Sequence, residues 1–189
     1  MKKIFALVAA VVVAFSASAQ IEKGDIVVTA GVGLGNTVYG SSYYDSALLP
    51  INIEGEYGVA EDVWGVAGLS LGVGPAISYT QAKTTYTWYD DVYGYKYSSI
   101  LVGAKGYFHY SLLDVENLDT YAAVTLGWNI ATAKRWGDWG SINTPATSAS
   151  GLFYAFAVGA RYWFTDFIGA NLEAGYGLSF LKAGVTFKF

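Results

Sequence analysis

Apolar and polar residues alternate along most of the chain, most clearly at its end. From Ser179 to Phe189, Leu181, Ala183, Val185, Phe187 and Phe189 share one parity, while Lys182, Gly184, Thr186 and Lys188 share the other. A period of two marks a β-strand with unlike faces. Seven earlier segments repeat it: Asp25 to Val38, Pro50 to Val59, Val63 to Tyr79, Ser98 to Tyr110, Leu118 to Ile130, Leu152 to Phe164 and Phe167 to Gly177. Each is long enough to cross a hydrocarbon layer as a tilted strand, which takes roughly 9 to 11 residues. One face of each segment carries Ile, Val, Leu, Ala and aromatic residues, and the other carries Gly, Ser, Thr and a few charges. The run Gly31-x-Gly33-x-Gly35 has neither the spacing of a dinucleotide fingerprint nor an amphipathic helix after it, so it reads as a strand with a thin inner face.

The connections between segments are of two kinds. Those near Ala60, Asp114 and Asp166 are short, whereas Tyr39 to Leu49, Thr80 to Tyr97 and Ala131 to Ser150 are long, and the two kinds alternate. Bacterial transmembrane barrels have an even number of strands, short periplasmic turns and longer extracellular loops. The pattern therefore predicts an all-β fold, an eight-stranded antiparallel up-and-down transmembrane β-barrel with both termini periplasmic. The aromatic residues then form two belts at the lipid boundaries. Tyr57, Phe108, Tyr110, Tyr162, Phe164, Phe187 and Phe189 make the lower belt, and Tyr79, Trp128, Tyr154 and Tyr176 the upper. A soluble barrel such as a lipocalin would turn the small-residue face to water, where Lys and Glu should be dense. Here that face is mostly Gly, which fits a membrane barrel with a narrow interior.

Composition adds the address. The chain is 53% hydrophobic and 14% charged, yet past residue 19 no apolar run is long enough to span a bilayer as a helix. Lys2 and Lys3 precede the apolar run Ile4 to Phe15 and then Ala17-Ser18-Ala19, the layout of a cleavable secretory signal peptide. The run is too short for a membrane anchor. The expected organisation is a signal peptide over residues 1–19 and one outer-membrane β-barrel domain over residues 20–189. With no Cys, lipid anchoring, disulfides and thiolate chemistry are excluded. Loss of Lys2 and Lys3 with the leader takes the formal charge from -4 to -6, which argues against nucleic acid as a partner.

In this register Glu54, Glu56 and Glu173 point inward together with Lys105, Arg161 and Lys182, with Lys188 near the end. Buried charges need partners, so the near balance of signs predicts an ionic network that plugs the lumen. The alternative is a narrow porin-like channel for small solutes, gated by the same charges. It has less room, because an eight-stranded interior holds side chains and little else. A lipid-modifying barrel enzyme would need His with Ser or an acid near the outer leaflet, and an omptin-like protease would need acids and His at the extracellular rim. The single His, His109, falls at the periplasmic end of its strand beside Tyr110-Ser111, and Asp90-Asp91 have no His on their side. No catalytic, cofactor-binding or metal-ligating set is expected.

The long loops are rich in Tyr and Trp, residues favoured at binding hot spots. Tyr43, Tyr44, Trp88, Tyr89, Tyr93, Trp136 and Trp139 form a candidate binding surface, unless these rings extend the strands and pack together. Strand count, loop asymmetry and a last strand ending in Phe187 and Phe189 together resemble the small eight-stranded outer-membrane proteins, the group of the OmpA transmembrane domain, the OmpX/Ail adhesin-like proteins and the opacity-like proteins. The resemblance implies a place in the bacterial outer membrane, contact with outer-membrane lipid, and recognition of Phe187 and Phe189 by the barrel-assembly machinery. It also implies a structural or adhesin-like role, with an extracellular ligand met by the loops. A periplasmic peptidoglycan-binding domain, as in full-length OmpA, is not expected.

Overall fold

The computed structural model describes residues 20–40, 42–110, 115–137 and 149–189. The predicted signal segment, the centre of the turn near Asp114 and the loop residue Trp139 lie outside the described residues. The strands are β1 (Ile26–Leu34), β2 (Ser46–Ala47), β3 (Ile51–Ala60), β4 (Leu69–Trp88), β5 (Asp91–Tyr110), β6 (Leu118–Gly137), β7 (Ala149–Trp163), β8 (Ile168–Tyr176) and β9 (Leu181–Lys188). Apart from the two-residue β2, which pairs with the outer part of β4, they form one antiparallel ring of eight. The ring closes where β9 meets β1, from Val27 opposite Lys188 to Leu34 opposite Leu181. Closure removes both sheet edges, which matters in lipid because no water is there to satisfy an open edge.

Alternation sets the faces. Along β3, Asn52, Glu54, Glu56 and Gly58 are buried while Ile51, Ile53, Tyr57 and Val59 are exposed. Elsewhere on the outside, Leu126 is 58% and Val158 64% exposed. Such an apolar girdle is stable in hydrocarbon and a liability in water. Inside, the small residues make room for large ones. A Cβ on Gly159 would come within 2.3 Å of Tyr121, and one on Gly72 within 2.1 Å of Glu56.

The structure departs most from the sequence pattern in three places, and β1 also ends at Leu34 and not at Val38. The third strand begins at Leu69 instead of Val63, because Asp62 (φ 46) and Trp64 (φ 56) adopt the left-handed region around a short 3-10 turn at Val63–Gly65. The segment Thr80 to Tyr97, expected as a long loop, is instead a hairpin that extends β4 and β5 to a two-residue turn at Tyr89 and Asp90. Its Thr, Tyr and Trp residues keep the period of two, and β-branched and aromatic side chains favour extended backbone. The strand expected to end at Ile130 likewise continues to Gly137. Thus β4, β5 and β6 rise past the ring as an outer sheet, with β2 along one edge.

At the end of the barrel where β1 begins and β9 ends, the chain folds back on itself. The segment before β1 folds across β3, with Gly24 donating to the Gly58 carbonyl at 2.9 Å and Gly58 donating to that of Asp25 at 2.9 Å. This places Ile21 in a buried cluster with Val27 and Trp163.

Candidate functional site

Strands β3, β5, β6, β7, β8 and β9 bring eight ionisable side chains into the lumen as two linked groups. In the group nearer the loops, Lys105 Nζ donates to Glu54 Oε2 at 2.6 Å and to Glu173 Oε2 at 2.5 Å. Lys182 Nζ closes the square, 2.6 Å from Glu54 Oε1 and 2.5 Å from Glu173 Oε1. In the group nearer the termini, Arg161 Nη2 lies 2.7 Å from Glu56 Oε2 and Nη1 lies 3.7 Å from Asp119 Oδ2. His109 sits between the same two acids, with Nε2 2.5 Å from Glu56 Oε1 and Nδ1 2.9 Å from Asp119 Oδ1. A doubly protonated ring can donate to both. In that form four cations face four carboxylates.

Two tyrosines join the groups. Tyr107 Oη donates to Glu54 at 3.3 Å and Tyr121 Oη to Glu173 at 3.1 Å, while Asn171 Nδ2 donates to Tyr121 Oη at 2.7 Å. Their ring faces take the other side: the Arg161 guanidinium carbon lies 5.2 Å from the Tyr107 centroid and 4.7 Å from that of Tyr121. A desolvated guanidinium over aromatic rings gains cation–π energy of about 2 kcal/mol. Lys188 stands apart at the rim, 3.8 Å from Asp25 and 5.3 Å from the Trp163 centroid.

All six expected lumen charges, Glu54, Glu56, Lys105, Arg161, Glu173 and Lys182, are brought together. The sequence reading left Asp119 and Tyr121 out and gave His109 no partners. Parity alone would have found Asp119 and Tyr121, which share the inward phase of Thr125 and Asn129 on β6. Which acid meets which base depends on barrel stagger, and no local pattern encodes that. Toward the loops, under the β8–β9 turn, the lumen keeps only a small recess of about 40 Å³, walled by Asn52, Ser78, Thr125 and Ser179 and floored by Glu54, Glu173 and Lys182. Among the described residues no group of His, Cys, Asp and Glu is arranged to hold a metal ion.

The described loop aromatics fall into three places. Tyr43 and Tyr44 fold back onto the inner face of the outer sheet, where Tyr44 packs edge-on against Tyr97 at 5.4 Å and Tyr43 Oη lies 2.9 Å from Tyr86 Oη. Tyr93 lies beside Tyr86 on that same face, its ring tilted, with centroids 5.8 Å apart. Burial pushes the Tyr39 and Tyr44 hydroxyls above their ordinary range, with the neighbouring tyrosines adding to the effect. Trp88 and Tyr89 stand at the hairpin tip, 66% and 89% exposed. Trp136 lies on the opposite, outward face, its indole donating to the Thr84 carbonyl at 3.2 Å.

A closed ring with an apolar exterior and a paired ionic interior decides the architecture. This is an eight-stranded transmembrane β-barrel. It is similar to several solved β-barrels. The N-terminal β-barrel domain of OprF from Pseudomonas aeruginosa has 16% identity, with 89% of this chain and 100% of that one covered and a TM-score of 0.47. Ail, the attachment invasion locus protein of Yersinia pestis, solved in complex with the heparin analogue sucrose octasulfate, has 16% identity, 88% and 99% coverage and a TM-score of 0.48. A de novo designed transmembrane β-barrel has 19% identity, 90% and 99% coverage and a TM-score of 0.46. No family profile and no curated protein matches the chain.

Proposed function

We propose that the protein is a sealed barrel of the bacterial outer membrane, with both termini periplasmic, that carries a structural or surface-interaction role through its projecting sheet. The observation that carries this reading is the square of Lys105 and Lys182 with Glu54 and Glu173, which crosses the lumen from β5 to β3, β8 and β9 at contact distances of 2.5 to 2.6 Å. Transport of a solute would have to break these pairs, whereas a scaffold has no need to. The exposed hairpin tip at Trp88 and Tyr89 supports contact with an extracellular ligand. The refolded protein is expected to migrate differently on a gel before and after boiling, because a closed barrel resists detergent until heated. A protein that is soluble and monodisperse without detergent is incompatible with the reading.

Phe187 and Phe189 act in this reading as the assembly signal for the barrel-assembly machinery. Phe189 is 77% exposed, while its backbone exchanges hydrogen bonds of 2.8 and 3.2 Å with Ile26 at the closing seam. Phe189→Asp is expected to lower the amount of barrel in the outer membrane several-fold, since recognition and closure share one strand. Unchanged surface levels by protease shaving of whole cells argue against that role.

A further inference from the structure

On their outward side, three adjacent strands change character in step. Across β4, β5 and β6 the paired rows run Ile77–Val102–Trp128, then Tyr79–Ile100–Ile130, then Gln81–Ser98–Thr132, and then Lys83–Lys96–Lys134. The lipid-facing belt thus ends in a row of small polar residues capped by three lysines directly opposite one another. Like charges in such positions repel and destabilise a sheet. Neither Lys96 nor Lys134 forms an ion pair with any described residue, and Lys83 meets only the ring of Trp136, 5.8 Å from its centroid. Among the described residues, Asp45 precedes the Ser46 that pairs with Lys83 and so has the opposite parity. Trp136, opposite Gly94, continues the outward face one row above the lysines.

The depth of the row indicates what balances it. One row, Gln81–Ser98–Thr132, separates the lysines from Tyr79, Ile100 and Ile130, and the four-residue step is about 13 Å along the strands or roughly 9 Å along the membrane normal at a tilt of about 45°. Headgroups occupy roughly the first 5 to 8 Å beyond the hydrocarbon, and lysine stems can bend back toward them. We propose that Lys83, Lys96 and Lys134 form a cationic ladder that binds the phosphate groups of the anionic lipids surrounding the barrel, with Trp136 packed against the headgroup above it. This rests on the reading of the chain as a membrane barrel. Repulsion within the row is then relieved by the lipid and not by the protein.

The test compares the wild type with K83Q/K96Q/K134Q, which keeps most of each stem and removes the charge. Native mass spectrometry of detergent-solubilised protein is titrated with diphosphoryl lipid A, phosphatidylglycerol, phosphatidylcholine or inorganic phosphate. The wild type is expected to prefer the two anionic lipids over phosphatidylcholine, with a preference that weakens in salt and falls roughly fivefold for each lysine removed. Inorganic phosphate is expected to compete poorly. An equal preference in the triple variant overturns the proposal, as does inorganic phosphate or a soluble sulfated oligosaccharide that binds the row better than lipid. The single variant K96Q supplies an independent sign. It is expected to raise the urea midpoint in neutral detergent, by relieving repulsion, and to lower it in phosphatidylglycerol bilayers. The same sign in both media contradicts the ladder. Heat-modified migration of the wild type and the triple variant reports separately on the barrel itself.

Discussion

Arg161→Ala is expected to destabilise the barrel by about 3 to 5 kcal/mol, the usual cost of removing one side of a buried ion pair. Arg161 is buried, its Nη2 lies 2.7 Å from Glu56, and its guanidinium covers the rings of Tyr107 and Tyr121. Removing it leaves Glu56 and Asp119 with His109 as their remaining cation and strips both rings of a packed neighbour. Water entering from the end where β1 begins would soften the loss, and the buried apolar cluster of Ile21, Val27 and Trp163 lies at that end. Urea unfolding in lipid vesicles measures the effect. On the lipid-facing side the same substitution would remove an expensive charge and stabilise the protein. The sign therefore tests the strand register as well as the pairing, and a neutral or stabilising result rejects both.

Lys105→Met is expected to cost a similar amount, about 3 to 5 kcal/mol, for a different reason. Met keeps most of the aliphatic stem, so packing changes little. Glu54 and Glu173 are then left to share Lys182, whose side chain is 21% exposed where that of Lys105 is 2% exposed. Adding Glu173→Gln should recover a substantial part of the loss, because one carboxylate facing one ammonium is a balanced pair and the amide can still accept from Tyr121. Glu173→Gln alone should cost less than Lys105→Met. A double variant no more stable than Lys105→Met would mean that repulsion between the two carboxylates is not what destabilises it.

The ring and its inward and outward faces were legible in the sequence because membrane barrels encode them locally, in the alternation of residues such as Ile51, Asn52, Ile53 and Glu54. The six lumen charges followed from that parity. The hairpin beyond Thr80 was harder to see. Its turn at Tyr89 and Asp90 lacks the Asn-Gly or Asp-Gly signal, and Tyr89 takes a φ of 53 that an aromatic residue rarely adopts. The lysine row was invisible for a related reason. Lys83, Lys96 and Lys134 lie on three strands, and only the register shows that they face one another. β4 starts at Leu69 and not at Val63 because the left-handed residues Asp62 and Trp64 turn the chain first.

The central claim is that the lumen is sealed by its own charges. Planar-bilayer recording of the refolded wild-type protein at neutral pH tests it most directly. With Lys105 and Lys182 held against Glu54 and Glu173, and Arg161 and His109 against Glu56 and Asp119, the account predicts no steady conductance above that of the bare bilayer. A large, persistent ionic conductance from the folded, heat-modifiable protein would contradict it.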